Sequence, residues 1–357
     1  TGVDIAMEAI KLLPPDLRAD GFSNTAYNLN VDLKHIEAFA RVAAIVVERM
    51  DIKAFARRFH GKLILDKQAR TLIEKMGRWI LRGPLEEREI LVYRGITTTA
   101  VASGAGFEEA VGSAIEAMLQ SPRFIYRIEN QQGDGTLWPV AGYEVASRLS
   151  YLIWGAPPDK TLFSAAANGA LSEPAQLEAQ VRRMLKDPKA TRFATEFFGQ
   201  WFGFYRFDQY RGVDTSRFPE WSETIQSAMY QEAIALCTHI VRGNRPPAEL
   251  LFADYTFLNR PLASHYGVPF PKPTNAGPQQ ASTTLLRRFN DMHRSHRGGL
   301  LRLGAVLTVT SAPLRTSPVR RGDWVLRQVL GDVLAQQIRA GRERLPQLDE
   351  TGAGLGK

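Results

Sequence analysis

The 357-residue sequence contains a single cysteine, Cys237. One thiol excludes an internal disulfide and a cysteine-built zinc site. It also excludes covalent c-type haem within this chain, because CxxCH needs two thiols next to a histidine. Cys237 lies in QEAIALCTHIV, apolar at helical spacing, and is read as core. No apolar run reaches the roughly 18 residues of a membrane span, and no signal peptide is recognisable. Period-2 alternation is almost lacking, so little or no sheet is expected. The patterns GxSxG, HExxH, Walker A and a complete GxGxxG are missing, which leaves no legible catalytic set. Gly104-Ala105-Gly106 reads as a loop. Basic and aromatic runs fall in different segments, which argues against nucleic acid. The chain opens at Thr1 without an initiator methionine, as a processed chain or a portion of a longer one would.

What is present is ordinary globular composition with a basic surplus. Hydrophobic residues make up 44 % and charged residues 23 %, enough for a sizeable core. Forty-five basic against 37 acidic residues give a net charge of +8. That balance favours acidic partners: anionic sugars, acidic proteins or lipid headgroups.

The dominant period is helical. Helices are predicted over 32–50, 66–81, 107–120 and 143–154, the third stopping at Ser121-Pro122. Ser172 is placed to cap a helix that begins at Pro174. Residues 191–204 (TRFATEFFGQWFGF) read as an aromatic helix, 219–241 as a long one and 261–266 as a short one. Residues 269–283 read as a loop, and Val306 to Thr310 is the best strand candidate. Glu86-Glu87 and Glu108-Glu109 sit in helix first turns and are read as dipole partners. The expectation is a mainly α, multi-helix fold of two or three packed sub-bundles. Its regions are 1–135, 136–268, 269–331 (a loop, an arginine-rich corner and a final helix) and a linker-like tail, 332–357.

That corner reads HRGGLLRLGAVLTVTSAPLRTSPVRRGDW. Ser317 and Pro318 have the grammar of a helix start, with Gly331 as its stop. Arg320 and Arg321 fall in the first turn, against the usual dipole preference. A local rule broken without evident gain points to an anion. Arg297, Arg315, Thr316, Ser317, Arg320 and Arg321 are therefore the candidate anion- or partner-binding set. The alternative is that such arginines buttress the fold by pairing with Asp291, Asp323 and other carboxylates. His293 and His296, three apart, would share a helix face and are the candidate haem or metal contacts, although two ligands do not make a metal site. Phe197, Phe198, Trp201, Phe202, Phe204 and Tyr205 read as core, or as a sugar-stacking platform if exposed.

Six motifs follow one another in order: LLPPDLRADGFSN, SPRFIYRIE, YEVASRLSYLIW, QVRRMLKDPKATRFATEFFGQW, ADYTFLNRPLASHYGVP and HRGGLLRLGAVLTVTSAPLRTSPVRRGDWVL. Together they resemble the planctomycete-type, cytochrome-c-associated proteins built from consecutive domains of unknown function. The resemblance runs from Leu12 to Gly331. It implies an exported, extracytoplasmic chain in redox company, with haem c in flanking segments or in a partner rather than here. Such chains often carry a cysteine near Gln68-Ala69-Arg70, and this one does not. The expected function is a module of a c-type cytochrome-associated assembly that positions electron carriers or docks a cytochrome domain or other subunit through the arginine corner. Two alternatives stay open: a haem-assisted oxidoreductase acting on polysaccharide-like substrates, and a non-redox carbohydrate-binding or surface-structural protein.

Overall fold

Asp32 opens the first long helix, Leu33–Arg49, with a capping box. Its carboxylate accepts from the His35 N–H at 3.1 Å, and the His35 ring reaches back to the Asp32 N–H. Such local signals recur through a computed structural model that describes residues 2–15, 22–23, 31–63, 65, 69–129, 139–271 and 285–331. The chain divides into two units, Thr1–Lys189 and Ala190–Lys357.

The regular elements of the first unit, among its described residues, are all helices. Phe107–Leu119 lies at its centre and buries Ala110, Val111, Ala114, Ile115 and Met118. Around it pack Leu33–Arg49, Ile52–Arg57, Ala69–Ile80 and Glu87–Ala102. Gly142–Trp154 ends at Gly155 in the left-handed region (φ 58°), and the Trp154 indole donates to the Met184 carbonyl at 3.0 Å. Ser172 does not cap the helix that follows. It sits in a 3-10 turn, Ala170–Ser172, and Pro174–Lys186 starts from Glu173 with proline in its first turn.

The second unit is built on Glu223–Arg242, capped by Ser222. Every third or fourth side chain of that helix is buried, from Ile225 to Ile240, and Cys237 is fully enclosed. The sole sheet among the described residues is a two-stranded antiparallel one: β1 (Tyr255–Leu258) pairs with β2 (Arg287–Asn290), Tyr255 opposite Asn290. The strand expected at Val306 to Thr310 is instead a helix, Gly304–Val309. Its hydroxyls explain the exchange. Thr308 donates to the Gly304 carbonyl, Thr310 to Val306 and Ser311 to Leu307, all at 2.7–2.8 Å, so the β-branched run satisfies its own last turn.

The aromatic run is helical, but it widens to a π-turn over Ala194–Phe198. Phe198, Phe202 and Phe204 are buried, and Phe197 and Trp201 pack against them. None of the rings is exposed, so the run is core and offers no stacking platform. The final helix runs Pro318–Trp324, widens to π over Val325–Val329 and ends at Gly331 (φ 65°). The expected loop at 269–283 lies largely, and the tail at 332–357 entirely, outside the described residues.

Candidate functional site

The residues singled out in the HRGG…RRGDW stretch separate into three places. His296, Gly298 and Gly299 all have positive φ. A β-carbon at Gly298 would lie 2.5 Å from the Ala253 carbonyl oxygen, and one at Gly299 2.3 Å from that of Leu251. The double glycine is therefore a place where two backbones touch. A short 3-10 turn, Met292–Ser295, carries His293, and His296 ends it in the left-handed region. The two histidines do not share a helix face. Asp254 accepts from the His293 N–H at 2.7 Å and from its Nδ1 at 2.9 Å. That backbone N–H, then the ring, holds the Asp254 carboxyl below its ordinary range. Asp254, Asp291 and His293 bring three potential ligand atoms within 4.8 Å of one another on an exposed surface. His296 is not part of that group.

Arg297 goes inward. Its guanidinium lies 3.7 Å above the Tyr266 ring. The Tyr266 hydroxyl donates to Glu232 at 2.7 Å and accepts from the Gly304 N–H at 3.2 Å, while Thr256 donates to the other Glu232 oxygen at 2.6 Å. Glu232 is 1 % exposed. Burial lifts its carboxyl to about 7, against the opposing effect of the two hydroxyls and of the Arg297 charge.

The remaining residues form an edge around a cavity of about 350 Å³. Arg315, Thr316 and Arg321 line it, whereas Arg320 and Ser317 stand outside the lining. Phe218, Trp221, Met229 and Leu307 supply apolar wall, with Glu220 and His265 beside them. Partial burial and then the Arg297 charge keep the His265 imidazole below its usual value, with Glu220 pulling the other way. Ser317 caps its helix as expected, accepting from the Arg320 N–H at 3.3 Å.

The two first-turn arginines reach backward. Arg320 donates to the Ser311 carbonyl at 3.2 Å, and Arg321 reaches the Thr310 and Ser311 hydroxyls at 3.4 and 3.5 Å. They thus sit at the start of their own helix but at the C-terminal end of Gly304–Val309, where cations are favoured. The apparent rule violation is partly answered by a neighbouring element. The carboxylate buttress is not formed: Asp323 pairs with Arg327 at 2.8 Å, and Arg315, Arg320 and Arg321 make no ion pair among the described residues.

A larger concavity, about 740 Å³, lies in the first unit. Much of its charge is internally matched. Arg123 pairs with Glu89 and Arg148 with Glu129, each at 2.5 Å. Arg82 is spent on the carbonyls of Arg123, Phe124 and Tyr126. The larger concavity also holds Arg88 and Arg127, which make no ion pair among the described residues, Arg127 lying over the Tyr151 ring; the smaller cavity sets Arg315 and Arg321, likewise without an ion pair, beside a mostly apolar wall. Phe218, Trp221, Met229 and His265 had no signal in the sequence, because they converge from separate segments whose spacing carries no period.

The resemblance to cytochrome-associated proteins raises haem c, and the chain's own residues do not fit it. The lone thiol is walled into the core, and burial pushes it well above its ordinary range. No helix among the described residues is long and apolar enough to cross a membrane.

Four family models match the chain in sequence. Each is described as a protein of unknown function: DUF1587 over residues 1–52, DUF1595 over 68–129, DUF1592 over 140–268 and DUF1588 over 297–353. No curated protein and no solved structure matches it. The arginine edge falls in the last match, while Phe218, Trp221 and Met229 fall in the third. The chain thus carries across its length, and belongs to, the consecutive domain series of the planctomycete cytochrome-c-associated proteins.

Proposed function

We propose that this chain is a non-haem module of an exported, c-type cytochrome-associated redox assembly and docks an acidic face of its cytochrome partner through the arginine edge. The observation that carries the reading is the edge itself. Arg315 and Arg320 are exposed and make no ion pair among the described residues. Leu314 and Val319, 59 % and 82 % exposed, flank them. Arginine beside protruding apolar side chains is the composition that interfaces favour, and the net charge of +8 would steer an acidic partner toward it. The domain series supplies the company, and an extracytoplasmic location follows from that company within this proposal.

The test compares an acidic with a basic c-type cytochrome by biolayer interferometry, at low salt and in about 1 M salt, where screening is nearly complete. The acidic protein should bind in a salt-sensitive manner, and the doubly reversed variant Arg315→Glu/Arg320→Glu should lose that binding. Equal binding of both cytochromes, or indifference to the charge reversal, would defeat the docking role.

A further inference from the structure

We propose that the cavity beside the arginine edge is a binding site for a small aromatic monocarboxylate. Its volume, about 350 Å³, falls at the small end of ligand pockets. The Phe218 and Trp221 rings, with Met229 and Leu307, provide a surface suited to a flat apolar body. Two arginines, Arg315 and Arg321, belong to the same lining.

The charge of the ligand follows from what those groups already hold. Arg315 has no side-chain partner among the described residues; its backbone N–H and carbonyl are taken by Ala312 across a tight turn. Arg321 makes only the long contacts to the Thr310 and Ser311 hydroxyls, so most of its fork of donors is uncommitted. The carboxylate in the lining is Glu220, which lies on the exposed rim. Two fixed cations against one carboxylate leave an excess of one positive charge, which a monoanion balances. A guanidinium fork matches a planar carboxylate in shape as well as charge. A neutral aromatic would leave the arginines unanswered, and a cation would meet both of them.

The site shares Arg315 with the docking edge but does not depend on docking. Arg320, outside the lining, separates the two readings. Benzoate, phenylacetate and 4-hydroxycinnamate are titrated by calorimetry and by saturation-transfer NMR, each with its methyl ester as the neutral control. At least one acid should bind while its ester does not. Arg321→Ala should weaken that acid about tenfold or more, as expected for a lost charge-assisted bond. Leu307→Trp, which fills the cavity without changing charge, should abolish binding; circular dichroism establishes that this variant is folded. Arg320→Glu should leave acid binding intact while impairing cytochrome docking. Failure of all three acids to bind, equal binding of acid and ester, or an unchanged affinity in Arg321→Ala overturns the assignment.

Discussion

Glu232 is a carboxyl enclosed in the second unit with two hydroxyls as its hydrogen-bond donors. Its native value of about 7 lies above the ordinary 4.5, so the native state keeps a proton that the unfolded chain has released. This contribution to stability is complete below about pH 4.5 and is lost as pH rises through about 7. It amounts at most to something on the order of 3 kcal/mol. Glu232→Gln cannot ionise. Between about pH 5 and about pH 8 its melting temperature should therefore fall less than that of the parent chain. Equal slopes would show that Glu232 does not titrate in this range. Gly298 sets a second residue-scale expectation. With φ 88° and a carbonyl 2.5 Å from any β-carbon, Gly298→Ala should destabilise by roughly 2–4 kcal/mol in urea unfolding. Neither position was legible beforehand. Glu232 lies in a run that reads simply as helix, and nothing around the glycine pair signals the Ala253 and Leu251 carbonyls that lie against it.

At the scale of elements, the helices with local punctuation were readable. Asp32, Ser121-Pro122, Ser222 and Gly155 act on neighbours within four residues, and those helices fall within a few residues of expectation. The strand expected at Val306 to Thr310 and the cap expected of Ser172 failed locally, while the sheet and the π-turns depend on distant partners. β1 and β2 are four residues each, too short for alternation to register, and pair between segments far apart in the chain, Leu258 opposite Arg287. The π-turns are likewise tertiary features. The Trp201 indole, just after one, donates to the Gln328 carbonyl inside the other at 2.9 Å. The Trp324 indole, just before the second, donates to the Phe202 carbonyl at 3.0 Å. Each tryptophan thus binds a backbone carbonyl of the other segment. Trp324→Phe keeps most of the ring and removes the donor, so it should lower stability by about 1–2 kcal/mol. A double-mutant cycle with Trp201→Phe should show coupling, since both bonds seat the same helix. Additive effects in that cycle would mean the two bonds act independently.

For the molecule as a whole, composition carried the charge argument and motif order carried the family, while the cavity needed three dimensions. Arg315, Thr316 and Arg321 were legible as a basic cluster next to a helix start; the apolar wall opposite them was not, because Phe218, Trp221 and Met229 lie about a hundred residues upstream. The thiol inventory makes a further claim about the whole chain. Two thioether bonds are needed to hold haem c in a CxxCH site, and this sequence has one sulfhydryl, enclosed between apolar side chains of Glu223–Arg242 and its neighbours. Produced in a host competent for cytochrome c maturation, the chain should give no c-type signal in a reduced pyridine-haemochrome assay. Cys237 should resist iodoacetamide in the native state and be alkylated once guanidinium unfolds the protein, because only the exposed thiolate reacts. A haem-modified peptide containing Cys237, or rapid native alkylation, would mean that the helix opens where the structure closes it. Only the haem-modified peptide would place the redox centre in this chain instead of in the partner it is proposed to dock.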